Sequence, residues 1–269
     1  MTIWIAMLLG FVQGLCEFLP VSSSGHLLLL QQIFGVTEGA LFFTVMLHLA
    51  TLVAVCIVYW KILIKLILHP INKTVGMLIL ATVPTVLMAI LFKKVEPFAS
   101  FFANAENGQF LGFGFLLTSA LLFLSDLLRR KNPKGKKLKE MRVPDALLIG
   151  CMQGIAILPG VSRSGSTISG ALFSGLNRKA AADFSFLLSI PAILGGALLE
   201  VPDALENGIG DVHWTCIVAG MLVAGLTGYF AVKVMIAAIK KKKLWGFGVY
   251  TALLGILVIV DQTVTHFFL

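Results

Sequence analysis

The sequence predicts an all-α polytopic membrane protein. The expected architecture is an inverted repeat of one re-entrant helical hairpin plus three transmembrane helices, six spans in total. Three observations lead there. The composition suits lipid rather than water. Six long apolar runs are accompanied by two shorter ones that stop at Pro20 and Pro159. The two broken regions also resemble each other at a fixed offset.

Of 269 residues, 58% are hydrophobic and 13% charged, with a mean hydropathy of +0.96. Soluble domains carry about 25% charged residues. The length suits a single membrane domain and leaves no room for a second, soluble one. A net charge of +8 raises the question of nucleic acid, but the basic residues lie between apolar runs, where they mark cytoplasmic loops. No nucleic-acid partner is expected. The first residues lack a basic n-region and a cleavage pattern, so no secretory signal is expected. Cys16, Cys56, Cys151 and Cys216 all lie in apolar stretches without a CxxC pair, which points to packing rather than a disulfide or zinc site.

The spans are expected at residues 41–60, 75–92, 110–128, 180–199, 214–235 and 244–260, each close to the ~30 Å of a hydrocarbon core at 1.5 Å per residue. Residues 3–19 are apolar but end at Pro20, and 27–34 are too short to cross. Residues 146–158 end at Pro159, with another short run at 168–176. Proline disfavours helix in the residue before it, so each region reads as two half-helices joined by a polar turn. Irregular backbone at that depth requires cover by protein or a wet cavity.

A shift of 140 residues sets Gly10 on Gly150, Gln13 on Gln153, Gly14 on Gly154, Val21 on Val161, Ser22 on Ser162, Ser24 on Ser164 and Gly25 on Gly165. The chain reads as a duplication, with repeat 1 over about 1–140 and repeat 2 over about 141–269. Each half holds one hairpin and three spans. Three is odd, so the second half must be inverted. Inverted repeats with broken helices enclose binding sites at their interface. The segments 61–73, 129–142, 178–179 and 233–243 hold 18 of the 21 Lys and Arg and are assigned to the cytoplasm. The other side receives Lys93, Lys94, Glu38, Glu96, Glu106, Asp203, Glu206 and Asp211. Both termini then lie outside. The first hairpin enters from outside and the second from the cytoplasm.

The first turn, "QGLCEFLPVSSSGH", holds the unusual chemistry. Gln13 and Glu17 share one helix face. A carboxylate at membrane depth costs several kcal/mol unless paired, hydrated or metal-bound; a hydrogen-bonded helix contact is the plainer reading. Ser22, Ser23 and Ser24 can cap a restarting helix, and Gly25 permits a tight turn. His26 opens the next half-helix, as a hydrogen-bonding residue or an acid–base group. The second turn reads "PGVSRSGST". Here Arg163 aligns with Ser23, Ile157 with Glu17 and Ser166 with His26. An Arg among Ser162, Ser164, Gly165, Ser166 and Thr167 at a helix start suits phosphate, because the guanidinium forks onto oxygens and free amides add partial positive charge. Snorkelling to the membrane edge is the alternative. Acid and imidazole thus come from one half and the cation from the other. No zinc-ligand spacing, Walker loop or GxSxG elbow is present. A carboxylate beside a polyphosphate could hold Mg²⁺ or Ca²⁺ shared with substrate, with Glu17 as the metal ligand.

The pair of motifs resembles the (E/Q)xxxE-plus-PVSSSGH and PGxSRSG signatures of the bacterial undecaprenyl-diphosphate phosphatase family, also called bacitracin resistance proteins. The likeness covers length, both motifs, their separation and the span count. It implies six spans in an inverted repeat with re-entrant pairs. It also implies hydrolysis of undecaprenyl diphosphate to undecaprenyl phosphate, which recycles the carrier lipid of cell-wall synthesis. The resemblance makes Glu17 and His26 the acid–base or metal-handling pair, Ser23 the nucleophile or phosphate ligand, and Arg163 the phosphate clamp. Gln13, Ser22, Ser24, Gly25, Ser162, Ser164, Gly165, Ser166 and Thr167 are expected to support the substrate. Gln13 leaves only one carboxylate where the family also allows Glu, which weakens a two-carboxylate metal scheme. His48 in "LHLATL" is a further candidate. The expected partners are a polyprenyl diphosphate and membrane lipids, with a homo-oligomer left open. The expected location is the bacterial plasma membrane, with the site facing outward. The rival class is a polyprenyl-phosphate flippase or transporter, since broken helices and polar midplane residues serve transporters equally.

Overall fold

The computed structural model describes residues 1–129, 135–206, 212–241 and 244–265. Its helices are α1 (Ile3–Phe18), α2 (Ser23–Ile33), α3 (Ala40–Leu68), α4 (Lys73–Lys94), α5 (Phe98–Glu106) and α6 (Leu111–Arg129), followed by α7 (Val143–Ile155), α8 (Arg163–Phe173), α9 (Arg178–Glu206), α10 (Trp214–Lys241) and α11 (Trp245–Val260). Six of these, α3, α4, α6, α9, α10 and α11, are long and apolar enough to cross a membrane. They coincide with the six expected spans. Helix α1 has 16 residues and α7 has 13, or about 24 and 20 Å at 1.5 Å per residue, short of a full crossing.

Two sequence expectations need correction. The basic segments 61–73 and 233–243 are largely helical rather than loops, because α3 continues to Leu68 and α10 to Lys241. Lysine is a good helix former and its stem can lie along apolar surface. The first restarted helix also begins earlier than expected, at Ser23 and not His26, while the second begins at Arg163, where a helix start was expected. Each is capped by the preceding serine, Ser22 Oγ accepting from Gly25 N at 3.3 Å and Ser162 Oγ from Gly165 N at 3.0 Å. The polar residues of both motifs are therefore the first turn of a helix. Helix α5, whose stacked Phe101–Phe110 and Phe92–Phe102 pairs tie it to its neighbours, was not expected. Residues 130–134 of the 129–142 segment, Asp211, Lys242, Lys243 and residues 266–269 lie outside the described residues.

Small residues set the helix pairing. Helix α1 packs along α10 in parallel: Gly10 lies against Gly220, where an added Cβ would stand 3.0 Å from the Gly220 Cα, and Gly14 lies against Ala224 and Gly228. Helix α7 packs along α4 in the same sense, with Gly150 against Ala81 and Gly154 against Met88. Each short helix thus pairs with a span from the other half of the chain. Helices α6 and α11 run antiparallel, with Gly112 and Gly255 each 2.8 Å from the other's carbonyl oxygen at the Cβ position. Ser119 Oγ donates to the Gly248 carbonyl at 2.7 Å. Close backbone approach at Gly is how helices associate in lipid, where burial of apolar surface gives no net drive.

The basic ends of the helices are tied together. Asp126 at the end of α6 accepts from Arg178 Nη2 at 2.9 Å and from the Trp245 amide at 3.0 Å, joining the starts of α9 and α11. Lys136 bonds both oxygens of Asp145, at 2.9 and 2.8 Å, at the start of α7. The start of α1 lies at the opposite end of α10, where Cys216 Sγ meets the Met1 carbonyl at 3.6 Å. The two helix pairs α1–α2 and α7–α8 therefore begin at opposite ends of the bundle and meet within it. Gly10→Leu and Gly150→Leu are each expected to force a backbone shift and destabilise the fold by about 1–3 kcal/mol. Thermal unfolding in detergent, with Gly76→Leu as a control at a position open on all sides, checks this.

Candidate active site

The site forms where the two turns touch. A Cβ at Gly25 would stand 3.0 Å from the Gly160 Cα and 2.6 Å from Phe115; a Cβ at Gly165 would stand 3.3 Å from the Pro20 Cβ. Under the 140-residue shift these contacts exchange with each other, Gly25 for Gly165 and Pro20 for Gly160. Gly160, with φ +83°, needs the freedom glycine has in that region. Helix α6 serves the irregular backbone here: Thr118 Oγ1 donates to the Gly160 carbonyl at 3.1 Å and accepts from the Ser162 amide at 2.8 Å. Ser164 Oγ crosses to the Leu19 carbonyl of the first turn at 2.9 Å.

Glu17 is the centre. Its side chain is only 4% exposed. Oε1 forms an ion pair with Arg163 Nη2 from the other turn. Oε2 accepts from Ser23 Oγ at 2.6 Å and from Gln13 Nε2 at 3.0 Å, with His48 Nδ1 at 3.4 Å. Gln13 Nε2 also lies 2.9 Å from His48 Nδ1. The His48 tautomer sets the direction of these contacts: a bare Nδ1 accepts from Gln13 Nε2, and an Nδ1–H faces Glu17 Oε2. The carboxylate is thus paired and hydrogen-bonded on both oxygens, which is the condition for keeping it at such depth. Arg163 and His48 are 16% and 24% exposed, so the cluster is approached from their side.

Of the sequence candidates, Gln13, Glu17, Ser23, His48 and Arg163 form one connected group. The imidazole beside Glu17 is His48 from α3, not His26. His26 is buried and turned elsewhere: Nδ1 donates to the Ser22 carbonyl at 2.6 Å, and Nε2 meets Tyr250 Oη at 2.7 Å. Ser22 and Ser162 are caps, with Ser24 Oγ 3.3 Å from Ser22 Oγ and Ser164 Oγ 3.2 Å from Ser162 Oγ. Thr167 is tied to the Arg163 carbonyl at 2.9 Å and to Ser185 Oγ at 2.6 Å, a bond that fixes α8 to α9. Ser166 is buried and its Oγ has no hydrogen-bond partner. Sequence reasoning missed Tyr250 and Thr118. A tyrosine in an apolar span reads as an interface anchor, and a threonine as a residue bonded to its own helix; neither had a local signal.

Ser22 is the backbone exception. Its φ is +69° with ψ 98°, while Ser162, 140 positions further on, has φ −72° with ψ 118°. Among the described residues it is the one non-glycine with positive φ, a conformation costing about 1–3 kcal/mol that clusters at functional sites.

Among the described residues no group of three His, Cys, Asp or Glu could hold a metal. The oxygens present are nevertheless hard donors: the Glu17 carboxylate, Ser23 Oγ and Gln13 Oε1, which is buried without a partner. That set fits a hard divalent cation that takes its remaining ligands from a polyphosphate and water, and it does not fit a dedicated protein cage. The arrangement combines a hydroxyl bonded to a carboxylate base with a guanidinium able to receive phosphate.

The family model described as bacitracin resistance protein BacA matches residues 6–257. An undecaprenyl-diphosphatase of Carboxydothermus hydrogenoformans is 43% identical over 264 residues, covering 97% of this chain and 98% of that one. Proteins of the same name from Halothermothrix orenii and Alkaliphilus metalliredigens are 41% and 42% identical over 97% of this chain and 98% of theirs. The match spans both turns and the helices that bring them together: this chain belongs to the bacitracin resistance protein BacA family.

Proposed function

We propose that the protein is an undecaprenyl-diphosphatase of the bacterial cell membrane, releasing phosphate from undecaprenyl diphosphate and leaving undecaprenyl phosphate for cell-wall synthesis. The observation that carries this is the Glu17–Ser23–Arg163 cluster, assembled from two separate motifs in a chain whose relatives bear that name over nearly their full length. The relatives named above bear the name of a phosphatase, which favours this reading over a lipid transporter. Release of phosphate from a prenyl diphosphate by the purified protein in detergent, where transport has no meaning, tests the reading; absence of release with the natural chain length would overturn it.

The chemistry follows from the contacts. The Ser23 hydroxyl already donates to Glu17 Oε2, so Glu17 is the base for its proton. Ser23 oxygen attacks the terminal phosphorus, the bond from phosphorus to the bridging oxygen breaks, and the prenyl phosphate leaves with that electron pair. The leaving prenyl phosphate takes that proton from Glu17; water then attacks the phosphorus and gives a proton to Glu17, the bond from phosphorus to the Ser23 oxygen breaks, and Glu17 returns the proton to Ser23 as phosphate departs. Arg163 uses Nη2 on Glu17, and its remaining N–H donors are free to fork onto phosphate oxygens. Charge stabilisation is the main task in phosphoryl transfer. Gln13 and His48 hold Glu17 Oε2 in place. A divalent cation held by Glu17, Ser23 and Gln13 Oε1 would supply further neutralisation of the diphosphate. The prenyl tail lies along the apolar spans.

The same reading covers topology. Repeats 1–140 and 141–269 are related by inversion, and α1–α2 and α7–α8 are re-entrant. The basic ends of the spans face the cytoplasm, and both termini and the site opening face outward. The opposite starts of α1 and α7, each packed in parallel with a span of the other half, support this.

Glu17→Gln is expected to lower kcat at least 10²-fold while the protein remains folded in the membrane, because the amide keeps a hydrogen-bonding shape and loses the base. Wild-type turnover would remove Glu17 from the chemistry. Arg163→Lys should restore little of the loss seen in Arg163→Ala, since an ammonium is a point charge and not a fork. A loss of about 10²–10³ in kcat marks a group that meets charge developing in transfer, and a change confined to KM marks ground-state holding. Cysteine labelling should reach tags at Met1 and Leu269 only from outside, and residues in the 129–142 segment only from inside.

A further inference from the structure

His26 is held at both ring nitrogens by groups that are neither Glu17 nor Ser23. Nδ1 donates to the Ser22 carbonyl at 2.6 Å, which fixes the proton on Nδ1 in the neutral ring and leaves the Nε2 lone pair to accept from Tyr250 Oη at 2.7 Å. The two rings stack, with centroids 5.7 Å apart and planes 10° from parallel. The Phe115 ring meets His26 edge-on at 5.3 Å. The carbonyl at the far end of this chain belongs to Ser22, the residue with φ +69°. Ser23, bonded to Glu17, is the next residue. A strained conformation persists only where its surroundings over-determine it. Here the surroundings are the His26 ring and amide on the carbonyl, at 2.6 and 3.3 Å, and the Ser22 Oγ cap on Gly25 N at 3.3 Å.

We propose that Tyr250 is a positioning residue for the reaction: through His26 it holds the strained Ser22 turn that presents Ser23 to Glu17. This rests on the phosphatase reading above. Tyr250 reaches the turn from α11, the last span, so the C-terminal part of the chain sets the geometry of the nucleophile near the N-terminus. The hydroxyl matters here, and the ring alone does not suffice. A phenylalanine would keep the stack and leave Nε2 without its donor, freeing the imidazole to rotate or to change tautomer. Either change removes the shorter of the two bonds on the Ser22 carbonyl and leaves the His26 amide at 3.3 Å.

The test is a set of variants assayed on a short-chain prenyl diphosphate in detergent: Tyr250→Phe, His26→Gln, Ser22→Gly and the doubles of Tyr250→Phe with each. Tyr250→Phe is expected to lower kcat about threefold to tenfold, the size of one hydrogen bond, with KM nearly unchanged. The double with His26→Gln should be no slower than His26→Gln alone, because both break one chain. Glycine adopts positive φ without strain, so in the Ser22→Gly background Tyr250→Phe should cost almost nothing. In ¹⁵N-histidine spectra, Tyr250→Phe should shift the His26 Nε2 resonance whether or not the variant turns over. An unchanged kcat in Tyr250→Phe overturns the proposal, as does a multiplicative loss in either double or an unshifted Nε2. A tenfold loss that persists in the Ser22→Gly background would assign Tyr250 to proton transfer instead. Inactivity of the wild-type protein would sink the phosphatase reading itself, while the imidazole spectrum would still report on the Tyr250–His26–Ser22 chain.

Discussion

The bond between Glu17 and Arg163 is the interaction on which the rest depends. Each partner alone would be an isolated charge in a largely apolar interior, at a cost of several kcal/mol. Together they neutralise one another, and the pair crosses from the first broken helix to the second. That crossing demands that two helix tips from opposite ends of the bundle arrive at the same place. The glycines of α1 and α7 let these helices sink against α10 and α4 deeply enough for it. Removing one partner would leave the other buried and uncompensated, a larger penalty than the net worth of the pair. In the proposed mechanism the same bond holds Arg163 ready for a stronger anion, because a diphosphate offers more charge than one carboxylate that Ser23, Gln13 and His48 already share.

A broken helix inside a bilayer must answer for every amide and carbonyl that its break exposes. The two turns do so with short polar side chains. Ser22 and Ser162 cap the restarting helices, Thr118 bonds both the Gly160 carbonyl and the Ser162 amide, and Ser164 reaches the Leu19 carbonyl. Most of the hydroxyls that the motifs display are thereby committed to backbone. This is why a serine-rich turn yields so few groups for chemistry. Of Ser22, Ser23, Ser24, Ser162 and Ser164, it is Ser23 whose hydroxyl points its proton at a carboxylate.

The fold was legible because lipid imposes a simple code: length and apolarity mark the six spans, and proline marks the breaks. What stayed hidden was local. The motif residues 23–25 look like turn by polarity, yet they are helical, because the Ser22 cap and protein cover replace the apolar side chains that a lipid-exposed turn would need. In the site, Glu17, Gln13, Ser23 and Arg163 could be grouped from spacing and from the repeat alone. His26 was misplaced, since proximity in sequence to Glu17 says nothing about which way a ring at the start of α2 turns. His48 and Tyr250 arrive from α3 and α11, more than 30 and 220 positions from Glu17 in the chain, and no periodicity encodes such a meeting.

The two turns keep the same frame and differ at the residues of the Glu17 cluster. Ser22 and Ser162 make the same cap to Gly25 and Gly165, and the helices that follow start at positions 140 apart. Between cap and helix the backbones part, with φ +69° at Ser22 and −72° at Ser162. At the next residue the side chains part as well, serine against arginine. Three positions further on the first half carries His26, whose ring secures the unusual carbonyl; the second half carries Ser166, whose hydroxyl has no hydrogen-bond partner among the described residues, and the ordinary φ of Ser162 requires no such support. Strain, its restraint and the hydroxyl beside the carboxylate thus occur together in one half and are absent together from the other. A turn that served only to reverse the chain would have no reason to differ in all three respects at once.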